Sequence, residues 1–205
     1  MHNQAKDFTL FVKSILSDYF VNKRVLDVGS GDLNGNNRFL FENCDYTGND
    51  VTEAPNVTIV SKTKDLPFEP ETFDTIISTE CFEHDPEYKE SILKIVSMLK
   101  PNGLFCFTCA STGRHEHGTR RANPEDSYGT KGNIADMYDY YKNLVVADIN
   151  EAVNLSETFS SWNSYYSSEN YDLYFVGIKR GPDAAQKLPL YLKTNVTNTT
   201  SDIQG

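Results

Sequence analysis

The stretch RVLDVGSG, residues 24–31, sets the fold class more firmly than any other part of the chain. Its apolar run is short and stops at two glycines, Gly29 and Gly31. It predicts a buried strand that turns sharply at its carboxyl end. CDYTGNDV, VTIVSK, FDTIISTE and GLFCFTCAS read as further strands. Helical patterns lie between or before them. Residues 6–20 place Phe8, Phe11, Val12, Ile15, Leu16, Tyr19 and Phe20 at three-four spacing, which predicts an amphipathic helix. NNRFLFEN, residues 36–43, reads as a second helix. PEYKESILKIVSMLK reads as a third, with Pro86 in its first turn and Pro101 and Gly103 as its stop. Strands alternating with helices through short connections build a parallel sheet covered on both faces. Between Phe159 and Lys179, SSWNSYY and YDLYFVGIK flank a turn at SSEN, so a hairpin should finish the sheet with an antiparallel strand.

Length and charge narrow the function. A chain of 205 residues suits one domain with one sizeable core. We expect that domain over residues 1–180, with a substrate-facing segment at 110–143 and a peripheral tail at 181–205. No apolar run is long enough to span a membrane, and the first residues lack the pattern of a signal peptide, so a cytoplasmic protein is expected. The net charge of -10 repels phosphate backbones and makes nucleic acid a poor partner. Cys106 and Cys109 form a CxxC, but residues three apart on a strand point to opposite faces. They are expected to be reduced core thiols.

Ligands of open α/β sheets bind beyond the carboxyl ends of the strands. Gly29 and Gly31 sit at such an end and allow close backbone approach. Asp50 ends the second strand, where a carboxylate can accept both ribose hydroxyls of an adenosine. A dinucleotide fingerprint would need a third glycine where this chain has Asn34. The site therefore reads as an adenosine cradle without a pyrophosphate grip.

At this point five motifs resemble one family in order. VLDVGSG, YTGND, DLPFEPETFDTIISTECFEHD, LKPNGLF and DLYFVGIK are similar to the motifs of class I S-adenosylmethionine-dependent methyltransferases, over roughly residues 20–180. The resemblance implies a Rossmann-like three-layer α/β sandwich. Its sheet would be mostly parallel and seven-stranded, with an antiparallel last strand in a C-terminal β-hairpin. It implies S-adenosyl-L-methionine as cofactor and Asp27, Gly29, Gly31, Asp50 and Glu80 as cofactor-binding residues. Where many relatives carry an acid near the adenine this chain has Lys62; Asp65 is the nearest carboxylate and is taken as a further cofactor-binding residue. GSGDLNG, HGT and YYKNL resemble bacterial and phage members linked to sugar or surface-glycan modification.

Asp27 is expected to orient the glycine loop or receive the cofactor's amino group, and Glu80 to lie near the reactive methyl. His84 can serve as a base or as a helix cap. The segment RHEHGTRR holds His115 and His117, candidate bases, and Arg114, Arg120 and Arg121, whose guanidinium forks match an anionic acceptor. Tyr128 and Tyr141 are candidates for an acceptor wall that excludes water. His115 and His117 with Glu83, Asp85 or Glu116 offer no recognised ligand spacing, so no metal is expected. The expected activity is O-methylation of a small molecule or of a sugar or glycan precursor. Methylation of protein or nucleic acid, and a non-catalytic S-adenosylmethionine-binding module, are the alternatives. The sequence is silent on oligomeric state.

Overall fold

The computed structural model describes residues 2–182; the tail expected at 181–205 lies almost entirely outside them. Seven strands form one sheet in the order β3-β2-β1-β4-β5-β7-β6. They are β1 (Arg24–Val28), β2 (Asp45–Asp50), β3 (Ile59–Val60), β4 (Phe73–Thr79), β5 (Leu99–Ala110), β6 (Phe159–Ser167) and β7 (Asp172–Lys179). The first five run parallel, and β7 lies antiparallel between β5 and β6. The hairpin expected from Phe159 to Lys179 is thus present. Strand order reverses between β1 and β4, which opens a crevice at their carboxyl ends.

The helices are α1 (Asn3–Ile15), α2 (Tyr88–Met98), α3 (Tyr128–Lys131), α4 (Val146–Ala152) and α5 (Leu155–Thr158). None is long and apolar enough to cross a membrane. α2, α4 and α5 cover one face through a cluster that includes Phe105, Phe107 and Phe175. α1 covers the other with Phe8 and Val12 against Ile77, Tyr174 and Val176. Cys109 belongs to the first cluster and Cys106 to the second, both as free thiols. Strand alternation therefore separates the CxxC pair.

Four elements differ from the sequence expectation. The first helix ends at Ile15, because Leu16 leaves helical geometry at φ -128°. A 3₁₀ turn over Ser17–Phe20 then swings Tyr19 and Phe20 into the core, where the Tyr19 hydroxyl donates to Asn102 O at 2.8 Å. The helix expected at 36–43 is only a 3₁₀ turn, Arg38–Leu40. There, asparagine and aspartate side chains compete for the backbone: Asn36 Oδ1 accepts from Arg38 N–H and Asp32 Oδ1 from Gly35 N–H. VTIVSK contributes only the two residues of β3. α2 begins at Tyr88, two residues beyond Pro86, and its entry is tied by Asp85, which accepts from Glu87 N–H and the Ser91 hydroxyl.

The segment from Ser111 to Asn143 folds back over the carboxyl edge of the sheet. Leu144 N–H donates to Ala110 O, and Lys142 N–H donates to Glu83 O, both at 2.9 Å. An ion pair between Lys62 and Asp136 fastens the far side. The result is a roof over the crevice.

Candidate functional site

Under the roof lies a cavity of about 220 Å³, lined by the carboxyl ends of β1, β2 and β4 and by the loops after them. Asp27, Gly29, Gly31, Asp50 and Glu80 all line it. Gly29 adopts φ +68°, and a Cβ there would lie 2.5 Å from Cys81 Sγ, so only glycine fits this turn. Gly31 leaves room for the Tyr128 ring, which a Cβ would meet at 2.3 Å.

The carboxylates have distinct tasks. Asp50 accepts from Gly31 N–H at 3.0 Å and Val51 N–H at 2.8 Å, which locks the glycine loop to the end of β2. Its burial raises its pKa. Asp27 is fully buried and accepts from the Tyr46 hydroxyl and from Asn37 Nδ2. Burial outweighs those donors and pushes its pKa up to about 6. Glu80 follows β4 in the left-handed region, at φ +54°, and accepts from the Thr108 hydroxyl at 2.7 Å. Burial works to raise its pKa, but His2, the Thr108 hydroxyl and Arg114 together hold it below the usual range. His2 Nε2 lies 3.3 Å from Glu80 and 2.7 Å from Asp172. Burial opposes the charge on His2, yet its two acidic partners raise its pKa to about 10.

The second half of the cavity comes from the turn after β4 and from the roof. His84, His117, Arg114 and Tyr128 line it. Tyr128 donates to Asp32 O at 3.2 Å across the glycine loop. Arg114 is held by Asn170 O at 2.8 Å and Asp172 at 3.1 Å. The ring centroids of His84 and His117 are 5.0 Å apart, and Tyr141 stands 5.6 and 5.0 Å from them. His84 is buried, which, with His117 beside it, lowers its pKa to about 3 and keeps it neutral. It does not cap α2; Asp85 holds that entry.

Other expected site residues stand apart. Asp65 is exposed and pairs with Lys64 at 3.3 Å; Lys62 and Thr63 line the cavity in its place. His115 is exposed and only its carbonyl takes part, 3.1 Å from His117 Nδ1. Arg120 pairs with Asp139 and lies over the Tyr138 ring, and Arg121 pairs with Glu116. Both arginines are exposed, and neither lines the cavity. Tyr141 packs behind the two histidines and does not line it either. His2 and Asn37 escaped the sequence reading, because no motif links them to the residues they touch. Lys62 was visible only as a departure from an expected acid.

Residues 26–107 match the family described as "Methyltransferase domain". No curated protein matches the chain. Solved structures share the fold. One is the 1,6-didemethyltoxoflavin-N1-methyltransferase of Burkholderia thailandensis with bound 1,6-didemethyltoxoflavin and S-adenosylhomocysteine. It is 15% identical, with TM-score 0.59 over 87% of this chain and 79% of that one. Another is phosphoethanolamine N-methyltransferase 2 of Haemonchus contortus, in complex with phosphomonomethylethanolamine and S-adenosylhomocysteine. It is 18% identical, with TM-score 0.54 over 82% of this chain and 52% of that one. A third, from Methanosarcina mazei, is 13% identical with TM-score 0.53, over 81% and 97%.

Proposed function

We propose that this chain, a class I S-adenosylmethionine-dependent methyltransferase, methylates a hydroxyl of a small molecule held under the 111–143 roof. The observation that carries this reading is the roof itself. It is fastened through Lys62–Asp136, Lys142–Glu83 and Leu144–Ala110, and it partly covers a cavity of about 220 Å³. Typical small-ligand sites span about 300–1,000 Å³, so this one is already compact. The small-molecule ligands named for the Burkholderia and Haemonchus structures support a small-molecule acceptor, although both of those proteins are named as N-methyltransferases.

The residues present fit S-adenosyl-L-methionine. Asp27, Asp50, Glu80, Asp85 and Asp126 outnumber His2, Lys62 and Arg114 along the cavity, a balance that suits a ligand bearing a sulfonium and an ammonium. Gly29 and Gly31 line the cavity and let Cys81, Tyr128 and Asp50 pack directly against the backbone of the loop. When bound, the cofactor supplies a methyl group on a sulfonium that is already a good leaving group. The chain's share is alignment, exclusion of water and removal of one proton. Asp50 receives the ribose hydroxyls and Asp27 the ammonium. Tyr128 shields the loop from water. His117, half-buried at the cavity, takes the proton of the acceptor hydroxyl. Arg120 and Arg121 have no part, so the anionic acceptor expected from RHEHGTRR loses two of its three arginines. A sugar or glycan precursor remains within the acceptor class.

The test is methyl transfer from isotopically labelled cofactor. Parallel reactions would contain hydroxylated small molecules including sugars, nucleic acid, or protein. Label in the small-molecule fraction supports the reading. Label only in a polymer refutes it, and cofactor binding without transfer to any acceptor favours a non-catalytic module.

A further inference from the structure

Glu83 is wholly buried, yet neither of its carboxylate oxygens has a hydrogen-bond partner. Among the described residues no other buried side chain leaves two oxygens in this state. Its neighbour His84 is 6% exposed, and its Nδ1 is also without a partner. Native proteins rarely leave buried polar atoms unpaired, because each lost bond costs on the order of 1–3 kcal/mol. Two such groups side by side call for a common explanation. His117 supplies the third member: one ligand atom each from Glu83, His84 and His117 lies within 4.8 Å of the others.

We propose that Glu83, His84 and His117 bind a divalent first-row transition ion such as Zn²⁺. Two imidazoles and one carboxylate suit such ions better than Mg²⁺ or Ca²⁺, which favour all-oxygen shells. Three protein ligands leave one position open, as in catalytic zinc sites. A tetrahedral ion with bonds of about 2.0–2.1 Å needs ligand atoms about 3.4 Å apart. Contraction from the present spacing falls to His117, which is only half-buried and sits on a loop. Glu83 and His84 are fixed on a 3₁₀ turn, Phe82–His84. The fold favours the approach of the two halves. Gly118 follows His117 at φ +64°, and a Cβ there would lie 2.6 Å from His84 Cε1. Lys142 N–H holds the Glu83 carbonyl, so the roof docks on the ligand-bearing turn.

His117 and Glu83 were candidate ligands in the sequence, set aside for lack of a recognised spacing; His84 was not among them, and the fold brings the three together from a turn and a separate loop. The ion's role, though not its binding, rests on the methyl-transfer reading. His84 and His117 both line the cavity, so the open position would face the acceptor hydroxyl. His117 would then act as a ligand instead of a base, and the bound ion would lower the hydroxyl's pKa so that its proton passes to a water molecule as the oxygen accepts the methyl group.

The test is calorimetric titration of the purified, chelator-stripped chain with Zn²⁺, and absorption spectroscopy with Co²⁺ as the probe. We expect one equivalent per chain and a Co²⁺ spectrum of nitrogen and oxygen ligation without a thiolate charge-transfer band. His117→Ala, at a half-buried site, should keep its fold and bind Zn²⁺ at least about tenfold more weakly. Glu83→Gln is the second variant and should weaken binding likewise. Absence of binding to the folded chain, equal binding by His117→Ala, or a thiolate band from Cys44 or Cys81 would overturn the proposal. S-adenosylhomocysteine binding is measured on the same samples. If it persists while Zn²⁺ fails to bind, the metal site falls and the methyltransferase reading stands.

Discussion

The buried carboxyl of Asp27 makes protein stability and cofactor binding depend on pH in a way that can be measured. Its ordinary pKa is 3.8, and burial raises it to about 6 in the folded chain. Below about pH 4 both folded and unfolded chains hold the proton. Between about 4 and 6 only the folded chain does, so this contribution to stability is lost as pH rises through 6. The rise from 3.8 to about 6 corresponds to roughly 3 kcal/mol. Because Asp27 is 1% exposed, solvent screening takes little from that figure. Urea unfolding of wild type and Asp27→Asn at several pH values from 4 to 8 isolates it. Other carboxylates titrate in both proteins and cancel in the difference. The stability difference between the two should move by up to about 3 kcal/mol across that range, with the wild type relatively weaker at pH 8. Cofactor binding gives an independent reading. At pH 6 Asp27 is about half protonated, and an ammonium placed beside it would expel about half a proton per molecule bound. Calorimetry in two buffers of different ionisation enthalpy counts that proton. Parallel stability profiles, together with no proton release at pH 6, would refute the reasoning.

Asp50→Ala should weaken S-adenosylhomocysteine binding about tenfold to a hundredfold, since charge-assisted hydrogen bonds contribute about 1.5–3 kcal/mol; unchanged affinity by calorimetry would remove Asp50 from the site. Arg120→Ala combined with Arg121→Ala should leave thermal midpoint and kcat/KM at wild-type values, because both side chains pair on the exposed outside of the roof. A rise in KM for a phosphorylated acceptor would return them to the acceptor site.

The strands were legible because each pairs a short apolar run with a polar or glycine stop. Burial of Val25, Leu26 and Val28 ahead of Gly29 is what the pattern of RVLDVGSG implies. The opposite orientations of Cys106 and Cys109 followed from strand geometry alone. The helix expected at 36–43 failed where local side-chain bonds outweighed periodicity. Asn37 turns inward to donate to Asp27 at 3.1 Å and Thr79 at 3.2 Å, a tertiary contact that no local pattern encodes. In the site, residues at strand ends were readable because topology puts them on one edge. RHEHGTRR was not, because its neighbours look alike in sequence and differ only in direction. Arg114 and His117 face the cavity, while His115, Arg120 and Arg121 face out.

The roof also has a kinetic meaning. Tyr128, which rests on Gly31, and His117, which meets His84, belong to the same folded-back segment. Its backbone ties the two contacts together: Gly118 N–H donates to Asn123 O at 3.1 Å, and the Thr130 hydroxyl donates to Gly118 O at 2.5 Å. Lifting one end therefore disturbs the other. If donor and acceptor both bind beneath this segment, release of the spent donor requires the same contacts to loosen that enclose the product. Under that reading, opening of the segment rather than acceptor reactivity would pace turnover, and kcat would fall as solvent viscosity rises.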